Sequence, residues 1–198
     1  MILRKYFYYI SPEYFLNNWK WLKIKEKLSK ISLIICDVDG VLTDGGLYVN
    51  NQGETLKKFD VKDGLGIKLL QSCGIEVAFV SGGSTGATEA RAKTLGIKYC
   101  YVNIKDKNKA VKEIQKSLST FKENTLFVGD DLNDLIVRRN VGLLIAPFDA
   151  NKFLKKNCDA ILNKSGGNGA IRELAEKLIL GKEDWNETFT LGWRDRNL

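Results

Sequence analysis

The chain contains no histidine. That absence removes histidine triads, histidine metal ligands and histidine general bases together, and leaves acid–base work to carboxylates and lysines. Cysteine is sparse: Cys36, Cys73, Cys100 and Cys158 are widely spaced and form no C-x-x-C pair. Neither a disulfide framework nor a zinc site fits that spacing, and a reducing cytoplasm suits it best. Cys36 and Cys73 fall in apolar strand or helix contexts, where a thiol behaves as a small hydrophobe. No apolar run approaches the roughly 18 residues that cross a membrane. The N-terminus also lacks the clean apolar core and small-residue cleavage site of a signal peptide. With no nucleic-acid motif, internal repeat or low-complexity linker, nucleic acid is not an expected partner.

What is present describes an ordinary globular protein. Its 198 residues, 44% hydrophobic and 28% charged, are enough for one domain with a substantial core. The net charge of +7 favours an anionic partner such as a sugar phosphate, although many of the lysines fall on expected helix faces where water solvates them.

Residues 1–30 form an aromatic and basic arm, distinct from a main domain over 31–181 and a C-terminal tail over 182–198. In the arm, Ser11 reads as an N-cap with Pro12 at the first helical position. Trp21, Ile24, Leu28 and Ile31 would share one stripe, interrupted by Lys20, Lys23 and Lys25. The arm is expected to pack on the domain or on a neighbouring subunit; peripheral membrane contact through residues 1–30 is the alternative.

From residue 31 strands and helices alternate. Strand 31–36 precedes a hairpin with arms at 46–50 and 55–61 and a turn at 51–53. Helix 64–73 stops at Gly74, strand 76–80 follows, and helix 85–95 ends at Gly96. Strand 99–102, a lysine-rich helix 107–118, strand 125–129, helix 132–140 and strand 141–145 come next. A short helix 150–156, strand 160–162 and helix 169–180 complete the series. This is an α/β pattern, a doubly wound parallel sheet with a β-hairpin flap and no insertion large enough for a cap domain.

The chemistry sits at the ends of two of those strands. The first runs into Asp37-Val38-Asp39-Gly40-Val41-Leu42-Thr43-Asp44-Gly45; the other runs into Asp130-Asp131-Leu132-Asn133-Asp134. Carboxyl ends of parallel strands converge on a crevice, and carboxylates gathered there repel unless a hard cation such as Mg²⁺ lies between them. Asp37 suits a nucleophile and Asp39 a general acid and base, with Mg²⁺ coordinated by Asp37 and Asp130. Ser81-Gly82 offers a hydroxyl and open backbone N–H groups to phosphate oxygens. The run Lys105-Asp106-Lys107-Asn108-Lys109 supplies a lysine for the same anion. A phospho-accepting receiver-type domain gathers similar groups, but a second carboxylate at Asp39 is suited to releasing phosphate rather than keeping it.

These residues resemble the four motifs of the haloacid dehalogenase-like phosphohydrolases. Within that superfamily, residues 31–180 are similar to the 3-deoxy-D-manno-octulosonate 8-phosphate phosphatases. The closer signals are the hairpin, the segment from Phe59 to Ile67, and Gly166-Gly167-Asn168-Gly169-Ala170-Ile171-Arg172-Glu173. The resemblance implies that Asp37 is the nucleophile and that Asp39 is the acid/base and lends a backbone carbonyl to Mg²⁺. Asp130 would complete the metal ligands, with Asp131 near them. Ser81, Gly82 and Lys107 would hold the phosphate, Lys107 being chosen because it follows Asp106 as in the family's Asp-Lys pair. Asp60, Val61, Lys62, Asp63, Gly64, Lys68 and Arg91 match positions that contact substrate. The implied activity is Mg²⁺-dependent hydrolysis of that sugar-acid phosphate for lipopolysaccharide precursors, in a cytoplasmic homotetramer where one hairpin closes the next subunit's site. A nine-carbon sugar-acid phosphate such as neuraminate 9-phosphate is the alternative substrate. Gly83 and Asn168 depart from the family, many members having arginine at the first position and arginine or another polar residue at the second. Neither glycine nor asparagine can grip a carboxylate bidentately as a guanidinium does.

Overall fold

A computed structural model describes residues 12–83 and 86–179. Ser11, the aromatic run before it and the tail over 182–198 lie outside the described residues. The centre of the molecule is a six-stranded parallel sheet, built from β1 (Leu33–Cys36), β4 (Glu76–Val80), β5 (Tyr99–Tyr101), β6 (Thr125–Val128), β7 (Leu143–Ala146) and β8 (Ala160–Ile161). Their order across the sheet is β5-β4-β1-β6-β7-β8. The chain therefore leaves β1 towards one edge and later returns to build the other half from β6. The gap between the ends of β1 and β6 is the switch point, where open α/β sheets bind ligands.

The central strands are apolar on both faces, as a sheet covered on both sides requires. Alternate residues divide between two cores. Ile34, Cys36, Val77, Phe79, Leu126 and Val128 face α1 (Pro12–Ser29), α2 (Val61–Ser72), α3 (Gly86–Leu95) and α6 (Ala170–Ile179). Leu33, Ile35, Ala78, Val80 and Phe127 face α4 (Lys107–Ser117), α5 (Lys152–Asn157) and a 3-10 segment over Leu132–Asn140. The arm's stripe joins the first core: Ile24, Leu28 and Ile31 are buried, and the Trp21 indole donates to the Ile161 carbonyl at 3.0 Å.

Three expected elements differ in detail. The hairpin is shorter, pairing β2 (Tyr48–Val49) with β3 (Thr55–Leu56), and its foot is tied to the loop after β1 by an antiparallel bridge between Thr43 and Phe59. Helix α2 begins at Val61, not Gly64, because Asp60 is its N-cap and accepts from the Lys62 N–H. The 132–140 segment is 3-10 and not α-helical. Asp134 turns back at its start, accepting from the Asp130 and Asp131 N–H groups, and this tightens the first turn.

Candidate active site

The loop after β1 is held by its own backbone and by Thr43. Leu42 and Thr43 N–H groups donate to the Val38 carbonyl, while Gly40 and Gly45 N–H groups donate to Thr43 Oγ1. Gly40 adopts φ +80°, and a Cβ there would overlap the Asp130 carboxyl, so glycine lets the two strand-end loops meet. From the other side, Gly166 and Gly167 press on the loop backbone. A Cβ at Gly166 would strike the Gly40 carbonyl, and the Gly167 N–H donates to the Val41 carbonyl at 3.0 Å.

This framework brings Asp37, Asp130 and Asp134 together, with one carboxylate oxygen of each within 4.8 Å of the others. Asp37 is 5% exposed, and its Oδ2 lies 2.7 Å from Lys107 Nζ. Lys107, 3% exposed at the first residue of α4, also reaches Asp134 Oδ1 at 2.7 Å. Burial opposes the Lys107 charge, yet the Asp37 and Asp134 carboxylates outweigh it and raise the lysine's pKa. Burial and the neighbouring Asp134 push Asp37 up to about 6 against the pull of Lys107. Burial, then Asp37 and Asp134, push Asp130 up to about 7. One lysine does not neutralise this cluster.

Asp134 is fully enclosed, with Lys107 on one oxygen and two backbone N–H groups on the other. Asp37 and Asp130 instead line an open crevice of about 580 Å³, together with Asp39, Gly40, Gly82, Gly83 and Lys107. Hard oxygen donors in excess of positive charge, facing a cleft of this size, fit a divalent cation such as Mg²⁺.

Asp39 lines the same crevice. Lys57, from the hairpin's return, contacts Asp39 Oδ1 at 2.7 Å and Oδ2 at 2.9 Å. Ser81 Oγ donates to Asp39 Oδ2 at 3.4 Å and accepts from the Gly83 N–H at 3.1 Å. Ser81 itself is fixed by a backbone bond to Tyr101.

Asp37, Asp39, Ser81, Gly82, Lys107 and Asp130, expected to share a site, are thus brought together. The positions expected to contact the sugar are placed elsewhere, and none of them lines the crevice. The Asp60 side chain caps α2, while Val61 and Lys62 are exposed on its first turn. Asp63 is buried, accepting from the Gly169 and Arg172 N–H groups, and burial above all raises its pKa to about 6. Gly64 packs under the Arg91 guanidinium, which donates to the Asp60 carbonyl. Lys68 donates to the Leu95 carbonyl at 2.7 Å. Sequence reasoning assigned no role to Lys57 or Asp134. Asp134 was findable as the N3 partner of an N-cap at Asp131; nothing in the pair Lys57-Lys58 says which lysine turns inward.

The chain is similar to known proteins in sequence and in fold. A family model described as haloacid dehalogenase-like hydrolase matches residues 101–174. The 3-deoxy-D-manno-octulosonate 8-phosphate phosphatase of Yersinia pestis is 40% identical over 158 residues, covering 80% of this chain and 84% of that protein. Its crystal structure superposes with a TM-score of 0.80 at 39% identity, over 82% of this chain and 88% of that one. The Moraxella catarrhalis phosphatase of the same name, solved in complex with magnesium ion, phosphate ion and KDO, has a TM-score of 0.82 at 34% identity. It covers 85% of this chain and 97% of that one.

Proposed function

Because the chain belongs to the 3-deoxy-D-manno-octulosonate 8-phosphate phosphatases, a family of haloacid dehalogenase-like hydrolases, we propose that it hydrolyses that ester to the free sugar acid and phosphate. The product would enter lipopolysaccharide precursor synthesis. The observation that carries the reading is the gathering of Asp37, Asp130 and Lys107 in the switch-point crevice, which Asp39 also lines.

In the first step an Asp37 carboxylate oxygen bonds to phosphorus as the ester P–O bond breaks, and the leaving sugar oxygen takes a proton from Asp39. In the second, water bonds to phosphorus while Asp39 takes its proton, and Asp37 is released as a carboxylate. Lys107, the Ser81 hydroxyl and the Gly82 backbone hold the phosphoryl oxygens, where positioning and charge dominate catalysis. Asp37 and Asp130, with the Asp39 backbone carbonyl, would hold Mg²⁺, which supplies neutralising charge to the phosphate when bound.

The active form is a homotetramer in this reading. Leu47, Tyr48, Val49 and Leu56 are all exposed on the hairpin, and such a patch favours burial against a neighbouring subunit. Asp60, Val61, Lys62, Asp63, Gly64, Lys68 and Arg91 then bear on substrate from outside the crevice, directly or through the packing around them. The free, separated cysteines suit the cytoplasm.

Initial rates on 3-deoxy-D-manno-octulosonate 8-phosphate and on neuraminate 9-phosphate, with Mg²⁺ and with excess chelator, test the proposal. It expects faster turnover of the eight-carbon ester and loss of turnover on chelation. A preference for the nine-carbon ester, or metal-independent turnover, overturns it.

A further inference from the structure

We infer that Lys57 is the positioning residue for Asp39, carried to it by the hairpin flap; the inference rests on the acid–base role proposed for Asp39. Lysine normally keeps its ammonium in water even when its stem is covered. The side chain of Lys57 is instead 1% exposed, with its charge set against both carboxylate oxygens of Asp39, itself 34% exposed in its side chain. Its neighbour Lys58 behaves ordinarily: 59% exposed in its side chain, it lies 3.5 Å from Asp44.

Strand register decides which of the two lysines turns inward. Tyr48 pairs with Leu56 in the hairpin and Thr43 bridges to Phe59 at its foot, so position 57 is pinned from both sides. A slip of one residue would exchange the faces and send Lys58 in. Glycine at position 83 completes the arrangement. A Cβ there would lie 3.0 Å from Asp39 Oδ2 and 3.6 Å from Lys57 Nζ, so a longer side chain would crowd the pair. Thr88 Oγ1, 3.4 Å from Nζ, bounds the ammonium on the α3 side.

The contact governs orientation. An aspartate at a loop position can swing about χ1, and proton transfer to a leaving oxygen requires a hydrogen-bonding approach. Lys57 contacts both carboxylate oxygens and Ser81 touches one, so the group is fixed beside the crevice that Asp39 lines. Because Lys57 stands beside β3, the orientation of Asp39 depends on the flap being seated.

The test compares wild type and Lys57→Met in single-turnover release of the leaving group from two esters, the alkyl sugar-acid phosphate and p-nitrophenyl phosphate. A nitrophenolate departs without a proton; a sugar alkoxide does not. Lys57→Met should slow release of the sugar by at least about tenfold and of nitrophenol by less than about threefold, given the 10²–10⁴-fold span of general acid catalysis. In an Asp39→Asn background, Lys57→Met should add less than about a twofold further loss, as expected of residues acting through one group. Equal losses on both esters, additive losses in the double variant, or no loss would overturn the inference. Thermal melts of each variant show whether the fold is kept. A wild type that turns over neither ester would sink the phosphatase reading and this inference with it, whereas equal losses beside an active wild type sink the inference alone.

Discussion

At the scale of single residues, the carboxyl groups of the site are held at odds with their charge. Asp37 and Asp130 in the crevice, and Asp63 outside it, start from an ordinary value of 3.8 and are raised to about 6, about 7 and about 6. A carboxyl with a raised folded-state pKa binds its proton more tightly in the native state. The stability it contributes is therefore present at low pH and is lost as pH rises from about 4 to about 7. A divalent cation on Asp37 and Asp130 reverses this by competing with those protons, and it binds best once they have gone. Saturating Mg²⁺ at about a hundred times its Kd should raise the melting temperature by roughly 5–10 °C at pH 8, and by less than half that at pH 5. Calorimetry with and without Mg²⁺ at both pH values checks this; an equal rise at both would contradict the raised carboxyl values. Asp37, Asp39 and Asp130 were legible in the sequence because strand ends announce them, whereas Asp134, a turn further on, was not given a role. Lys57 was not, since two adjacent lysines differ only in which face of a short strand they occupy.

At the scale of elements, much of the site is organised by helix ends and by loops pressed against one another. The Asp63 carboxylate joins the first turn of α2 to the start of α6 by accepting from the Gly169 and Arg172 N–H groups. This fixes the 165–169 turn, whose Gly166 and Gly167 support the loop carrying Asp37 and Asp39. Asp63→Ala leaves buried N–H groups without that acceptor and should cost about 1–2 kcal/mol, in the range of a lost helix cap. A lowered urea midpoint with unchanged slope is the expected result; an unchanged midpoint would show that the cap is dispensable. Helix stops at Gly74 and Gly96 and the interior strands were legible from glycine placement and apolar runs. The start of α2 was obscured because Asp60 and Asp63 are identical in type, one capping its own helix and the other a distant one.

At the scale of the whole molecule, strand order does the work that no single motif can. The jump from β5 back to β6 places Asp130 beside Asp37, some ninety positions earlier in the chain, and Lys107 enters from the helix between. The alternation of strands and helices made this crevice legible, because a doubly wound sheet must gather its carboxyl ends. The shortness of the hairpin was not legible, since it follows from a tertiary contact, the Thr43–Phe59 bridge. The 3-10 turn follows from the local capping by Asp134, which the sequence carries but does not announce.

The central claim is that Asp37 takes the phosphoryl group covalently, and chemical trapping reads it most directly. Enzyme mixed with the sugar-acid phosphate and Mg²⁺ is quenched during turnover and reduced with borohydride, which converts an acyl phosphate to an alcohol. Peptide mass spectrometry should then find homoserine at position 37, with Asp39 and Asp130 unchanged and no conversion without substrate. Reduction at another aspartate, or turnover that proceeds with position 37 unmodified, would contradict the account.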